Sequence, residues 1–284
     1  MKYIDISEHQ GDFDFSKAKV DGVILRAGHG KTPDIKFERN VEACPFPIGV
    51  YWYSEATNVE DAKKEAAQCL AAIKGKKIEL PIAYDLEYYT IEHFFKPRGI
   101  EPTKRLCTDM ALAFLDAIEK AGYYAMLYSS PNFISTYYYE EELKRFDLWL
   151  AQYPYGQKVD PKIDLSTPPR SCGIWQWGLT RIGNMDVDAD EAYHDYAQIV
   201  RVNDLNHLYN TYSDGDDTIY EPVNSNPQKP NLYSEALKWA KNIGLEIQNP
   251  NEPATKADVV WMFYEYHKRF GPEDDKPLGG AVTD

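Results

Sequence analysis

What the 284-residue sequence lacks narrows the field first. Basic charge is scarce: 31 lysines and arginines stand against 45 aspartates and glutamates, for a formal net charge of -14 at pH 7. A protein that tracks nucleic acid needs a basic stripe for the phosphates. None occurs, so nucleic acid is not expected as a partner. The same balance argues against electrostatic adhesion to anionic membranes or wall polymers, so a polyanionic substrate would have to be held by specific contacts. Long apolar runs are also missing. No segment reaches the length needed to cross a bilayer, and no membrane insertion is expected. The four cysteines, Cys44, Cys69, Cys107 and Cys172, form no C-x-x-C pair and have no histidine at metal-ligand spacing. They read as reduced, mostly buried thiols of a chain made in a cytoplasm. The opening "MKYIDIS" has one lysine and no apolar h-region. A secretory signal is therefore not expected, and any work outside the cell would need another exit route. No glycine-rich phosphate loop, H-E-x-x-H pattern or Ser-His-Asp order stands out, and His9, His29, His93 and His194 are scattered.

What is present points elsewhere. Aromatic residues are abundant, with 22 tyrosines and 6 tryptophans, and their flat amphipathic rings suit the faces of sugars. The length fits a single α/β barrel with or without a small appendage, and 43% hydrophobic residues supply a sizeable core. Eight short apolar runs recur. They are "YIDIS" (3–7), "GVILRAG" (22–28), "IGVYWYS" (48–54), "PIAYDLE" (81–87), "YAMLYSS" (124–130), "LWLAQY" (148–153), "GIWQWG" (173–178) and "MDVDAD" (185–190).

Two segments between the runs read as amphipathic helices. Residues 58–75 start at Asn58 as N-cap, carry Ala62, Ala66, Leu70 and Ile73 on one stripe, and end at Gly75. Residues 101–122 have Pro102 near the start, a stripe of Leu106, Met110, Phe114 and Ile118, and Gly122 at the close. The stretch between the sixth and seventh runs reads as loop. The pattern predicts a barrel that begins as β/α repeats and finishes with hairpin-like strands over residues 1–210. Residues 211–230 have the Asp, Asn, Pro and Ser content of a linker. Two helices follow within 231–270, and 271–284 reads as a disordered tail.

The fourth run raises the chemical question, because Asp85 and Glu87 are two residues apart on one strand. Alternation turns both to the same face with Ala83, Cα atoms roughly 6.6 Å apart, and sends Tyr84 and Leu86 to the other face. In a barrel these acids would point inward near the carboxyl end, where barrel enzymes build their sites. Other runs place polar or aromatic groups at corresponding rungs: Asp5 and Ser7, Arg26, Tyr51 and Tyr53, Tyr128, Gln152, Gln176 and Asp188. A purely structural barrel would fill these rungs with aliphatics. Two neighbouring acids in a semi-buried site cannot both ionise comfortably, so one becomes a proton donor near neutral pH. That is the equipment of glycoside hydrolysis through an oxocarbenium-like transition state. A hard cation held by Asp5, Asp85, Glu87 and Asp188 is the rival use of the same acids. Neither a metal nor a cofactor is expected.

In order along the chain, "IDISEHQGDFDF", "GVYWYS", "YDLE", "LYSS", "LWLAQY", "IWQW" and "VDAD" resemble the motifs of family-25 glycoside hydrolases. These are lysozymes that act as N-acetylmuramidases on bacterial cell walls. The resemblance runs from about Met1 to Asn210. It implies an α/β fold, a flattened (β/α)5(β)3 barrel. It also implies retaining cleavage of the β-1,4 bond between N-acetylmuramic acid and N-acetylglucosamine in peptidoglycan. By the same resemblance Glu87 is the general acid/base, and Asp85 orients the substrate's own N-acetyl group or acts as direct nucleophile. Asp5 and Asp188 support the pair, although "VDAD" stands where the family often has V-D-x-N, so that Asp190 replaces an amide. Tyr53, Tyr128, Gln176 and Trp177 are implied sugar contacts, with Tyr51 and Arg26 as further ones.

The segment "ALKWAKNIGL" with the helix after it resembles one S-layer-homology repeat, which implies wall binding or self-association. A wall-degrading domain without a secretory signal implies a phage or prophage endolysin, held in the host cytoplasm until holin-type release. A non-catalytic wall-binding protein, and a barrel glycosidase for another N-acetylated polymer such as chitin, are the alternatives.

Overall fold

The computed structural model describes residues 1–208. The linker, two-helix module and tail expected at 211–230, 231–270 and 271–284 lie outside the described residues. The chain divides into two units, Met1–Asp216 and Asp217–Asp284. The architecture that follows belongs to the first.

Among the described residues nine strands occur: β1 (Lys2–Ile6), β2 (Gly22–His29), β3 (Thr32–Pro33), β4 (Ile48–Tyr53), β5 (Ile82–Asp85), β6 (Ala125–Ser129), β7 (Asp147–Ala151), β8 (Ile174–Ile182) and β9 (Met185–Ala192). The α-helices among the same residues are α1 (Phe37–Ala43), α2 (Val59–Ile73), α3 (Tyr88–Thr90), α4 (Lys104–Lys120), α5 (Pro131–Tyr137), α6 (Glu140–Leu143) and α7 (Tyr196–Val202). Each of the eight apolar runs is a strand, and together they close a barrel in the order β1-β2-β4-β5-β6-β7-β8-β9, with β9 returning to β1. The two-residue β3 is an extra partner on β2.

Pairing is parallel from β1 through β8. Among the eight barrel strands only β9 runs against its neighbours, β8 and β1, while the short β3 lies antiparallel on β2. The expected hairpin-like finish therefore holds for β8–β9 alone. The long connection over 152–173 brings the chain back so that β8 enters parallel to β7. The first crossover is reduced to two short helical turns at 8–10 and 15–17. The second to fifth crossovers carry α1, α2, α3 with α4, and α5 with α6, which makes the architecture a (β/α)5(β)3 barrel.

Alternation sorts the strand side chains into two packed layers. Ile4, Ile6, Leu25, Val50, Trp52, Ile82 and Tyr84 face outward and pack with Ala62, Ala66, Cys69, Ile73, Met110, Phe114 and Ile118 of the helices. The Tyr84 ring meets Phe114 at a centroid distance of 4.9 Å. Inside the barrel, Tyr3, Ile24, Ala83, Met126, Tyr128, Trp149 and Ile174 form a second cluster. The helix ends follow the chemistry of their caps. Asn58 accepts from the Asp61 N–H at 2.9 Å, and Thr103 Oγ1 accepts from the Leu106 N–H at 3.2 Å, so α4 starts just after Pro102. All four cysteines are free; Cys69 and Cys107 are buried, whereas Cys44 and Cys172 are half-buried.

Candidate active site

The carboxyl end of β5 presents the acid pair. Asp85 is its last residue and is 5% exposed. Glu87 follows in extended backbone, φ -126° and ψ 172°, immediately before α3. Two residues of extended chain keep both carboxyls on the interior face, as for Ala83 below them. On the opposite wall Asp5 of β1 pairs in register with Asp188 of β9, and Tyr3 with Asp190. One barrel mouth thus collects five acids.

A web of neutral donors holds this cluster. Gln176 of β8 donates from Nε2 to Asp5 Oδ2 at 2.7 Å and accepts at Oε1 from the Tyr128 hydroxyl at 2.8 Å. Trp149 Nε1 donates to Asp190 Oδ1 at 2.7 Å, and the Tyr153 hydroxyl donates to Asp188. Asp85 Oδ1 and Asp190 Oδ2 are buried without a hydrogen-bond partner among the described residues. An orphaned buried oxygen is costly, and for Asp85 it marks the place where a ligand donor would be welcome.

Electrostatics follow from burial and crowding. Burial pushes Asp85 well above the usual carboxylate range, Glu87 adds to the effect, and Arg26 opposes it. Glu87 is raised by burial and by Asp188, while the neighbouring Tyr128 hydroxyl pulls the other way. Asp5 is raised well above its ordinary value by burial and then by Asp188, Asp190 and Asp85, against the Gln176 hydrogen bond. Asp188 and Asp190 rise mainly through burial, each opposed by its aromatic donor. Protons in such a cluster belong to the group rather than to single residues, and the cluster holds them above the ordinary carboxylate range.

The remaining residues expected at the site divide by environment. Tyr53 is half-buried at the mouth, and its hydroxyl oxygen lies 3.2 Å from Thr90 Oγ1. Tyr51 lies edge-on to Trp149 inside the barrel, at a centroid distance of 6.0 Å. Trp177 is half-buried where the β8–β9 register shifts between Gln176 and Gly178. Arg26 is occupied by protein acids: Nε donates to Asp34 Oδ2 at 2.8 Å and Nη2 lies 2.9 Å from Glu8 Oε1. Sequence reasoning passed over Asp34, which also accepts the Glu8 and Lys36 N–H groups at 2.9 and 2.8 Å. It also took Gln152 as the sixth-strand rung. The inward residues there are Trp149 and, two alternations on, Tyr153, which simple i, i+2 spacing from Trp149 would have found.

A cleft of about 130 Å³ opens beside Glu87, lined also by Leu86, Tyr88, Tyr89, Ser129 and Phe133. An acid pair at the mouth of a barrel, one member facing an open cleft and the other carrying an unsatisfied oxygen, is able to move a proton onto a leaving oxygen and to steady developing positive charge.

Residues 4–183 match the family model described as glycosyl hydrolases family 25. No curated protein matches the chain. Among solved structures, the chain is similar to the modular autolysin LytC of Streptococcus pneumoniae, solved with a synthetic peptidoglycan ligand. The identity is 26% and the TM-score 0.55, over 66% of this chain and 46% of that one. The chain thus spans about half the length of LytC. It is similar in fold to the catalytic domain of endolysin ply40 from bacteriophage P40 of Listeria monocytogenes, with 21% identity, a TM-score of 0.55 and coverage of 70% and 96%. It is also similar in fold to a family 25 glycosyl hydrolase from Bacillus anthracis, with 20% identity, a TM-score of 0.55 and coverage of 71% and 92%. With the family model matched across more than half of its length, the chain belongs to glycosyl hydrolase family 25.

Proposed function

We propose that this protein is a peptidoglycan hydrolase that cleaves the β-1,4 bond between N-acetylmuramic acid and N-acetylglucosamine with retention, assisted by the substrate's own acetamido group. The observation that carries the reading is the placement of Asp85 and Glu87 on one strand face, with the open cleft at Glu87 and the orphaned oxygen on Asp85. In the free protein the two acids compete for protons. An acetamido N–H donated to Asp85 Oδ1 stabilises the charge there and leaves the proton on Glu87. Glu87 then protonates the glycosidic oxygen as general acid, and afterwards takes a proton from the attacking water as general base. As the acetamido oxygen closes on the anomeric carbon, positive charge grows on its nitrogen side, where ionised Asp85 stabilises it. Two carboxyls sharing one face favour this route over a direct Asp85 nucleophile, which works from the ring face opposite the acid.

Asp5 and Asp188 serve as neighbours that keep protons in the cluster. Tyr53, Tyr128, Gln176 and Trp177 line the sugar path, with Tyr51 and Arg26 supporting from below. The LytC complex with a synthetic peptidoglycan ligand supports the substrate class. In this reading the enzyme acts on the bacterial wall as an endolysin released from the cytoplasm through a holin-type lesion. Residues 231–270 contribute wall binding or self-association. Among the described residues no helix is long and apolar enough to cross a membrane.

The test is a product analysis. Peptidoglycan is digested with the wild type and with Glu87→Gln, the new ends are reduced with borohydride, and the fragments are identified by mass spectrometry. New muramitol ends with the wild type, and at least a hundredfold fewer with Glu87→Gln, are expected, in keeping with loss of a general acid. Glucosaminitol ends would move the cleavage to the other bond. No new ends, with the protein sedimenting with walls, would leave a binding protein instead.

A further inference from the structure

The cleft beside Glu87 holds more than the catalytic acid. Tyr88 and Tyr89 follow Glu87 directly and are 43% and 58% exposed. Single exposed aromatics are ordinary on protein surfaces. These two are braced. The Tyr88 ring stands edge-on to Phe133 at 5.2 Å and to Tyr137 at 5.8 Å between centroids. The Tyr89 ring lies over His93 at 3.9 Å with an interplanar angle of 32°. His93 sits in a π-helical turn over Ile91–Phe95, a rare conformation that is frequent at functional sites. A ring already fixed by its neighbours loses little freedom when it binds.

A second feature lies at the wall of the same cleft. Ser129, at the end of β6, lines it, is 2% exposed, and has an Oγ without a hydrogen-bond partner among the described residues. A buried hydroxyl left unpaired costs about 1–3 kcal/mol, so its location in an open cleft suits a polar ligand group. A flat aromatic face together with an unsatisfied hydroxyl is the chemistry of pyranose recognition: the ring's apolar C–H face stacks while its hydroxyl or acetamide edge hydrogen-bonds.

The side of the bond follows from which acids line the cleft. Glu87 does, whereas Asp5, Asp85 and Asp188 do not. If Asp85 faces the acetamido group of the sugar that keeps the anomeric carbon, the cleft lies toward the oxygen that Glu87 protonates. We propose that this cleft is a carbohydrate subsite for the leaving-group side of the glycan strand. Ser129 and Tyr88 hold the first sugar beyond the scissile bond, and the Tyr89–His93 stack carries the second. The assignment rests on the glycosidase reading above.

The experiment compares kcat/KM on two glycan oligomers, identical except that they end one or two sugars beyond the cleaved bond. The wild type should prefer the longer one, and Tyr89→Ala should reduce that preference about tenfold, the value of one lost stacking contact. Tyr89→Phe keeps the ring and should restore the preference. Tyr139→Ala removes an exposed tyrosine outside the cleft and should change neither rate. A wild-type preference that survives in Tyr89→Ala would overturn the subsite while leaving the hydrolase intact. A wild type that cleaves neither oligomer would overturn the hydrolase reading itself, and the subsite with it.

Discussion

At the scale of single residues, the site is governed by hydrogen bonds that decide where charge rests. Tyr153 shows how far one hydroxyl reaches. It donates to Asp188 and favours the ionised form of that acid. Charge on Asp188 in turn raises Glu87, the proposed proton donor. Removing the hydroxyl should let Asp188 hold its proton to higher pH, weaken the repulsion at Glu87, and let Glu87 lose its proton earlier. The expected result for Tyr153→Phe is an alkaline limb of the kcat/KM profile that moves to lower pH, with the folded structure kept. An unmoved or upward-shifted limb would break the link between Asp188 and Glu87. Arg26 acts in the other direction, favouring charge on Asp85, yet its guanidinium is held by Asp34 and Glu8. It therefore contributes as a fixed charge of the barrel wall rather than as a free hand for substrate.

At the scale of elements, the junction of β4 with α2 supports the floor of the site. Ser54 donates its N–H to the Asp85 carbonyl at 2.7 Å and its hydroxyl to Glu65 Oε2 at 2.6 Å. The Glu55 N–H donates to Glu65 Oε1 at 2.9 Å, and Thr90 Oγ1 donates to the Ser54 carbonyl at 2.6 Å. Glu65 of α2 is thus a buried acid that ties a helix to the loop beneath Asp85, and burial pushes its carboxyl up to about 8. Below the ordinary glutamate value both folded and unfolded chains hold this proton. Above it the unfolded chain releases the proton while the folded one keeps it, so stability falls as pH rises toward 8. Between pH 4.5 and 7 this group should cost about 3 kcal/mol. Glu65→Gln should flatten that part of the urea stability curve, and parallel curves for the two proteins would show that Glu65 is ionised in the fold. The strands of this barrel are legible in sequence because period-two alternation must show wherever one face packs on helices and the other on a barrel interior. The same alternation located Asp85, Glu87 and Tyr128 on the inner face. What joins them was not legible: Gln176 reaches Asp5 across 171 positions, and only closure of β9 on β1 brings them together. Asp34 sits in an irregular stretch with no period to expose it, and short α1 and α5 are too brief for a helical stripe to stand out. The parallel entry of β8 depends on the path of a long loop, which composition does not encode.

At the scale of the whole molecule, charge is the dominant property. A formal charge of -14 makes the protein repel polyanions at a distance, while its proposed substrate lies in a wall that bacteria commonly furnish with anionic polymers. The resulting barrier belongs to the approach and not to the chemistry, since the proposed bond-breaking step involves buried and half-buried carboxyls whose interactions salt screens less than those between exposed charges. The range of the repulsion is the Debye length, about 30 Å at 0.01 M salt and about 10 Å at 0.1 M, so modest salt should remove most of it. Clearing of whole-wall suspensions should therefore quicken several-fold from 10 to 150 mM sodium chloride, through faster association. Over the same range, kcat on a short uncharged glycan oligomer should stay nearly constant. This is the reverse of what a basic wall-lytic enzyme would show, because there salt weakens an attraction. If clearing slows with salt, a local basic surface governs approach in spite of the net charge. If kcat on the oligomer changes as much as clearing does, salt acts on the carboxyl cluster itself and the separation between approach and chemistry fails.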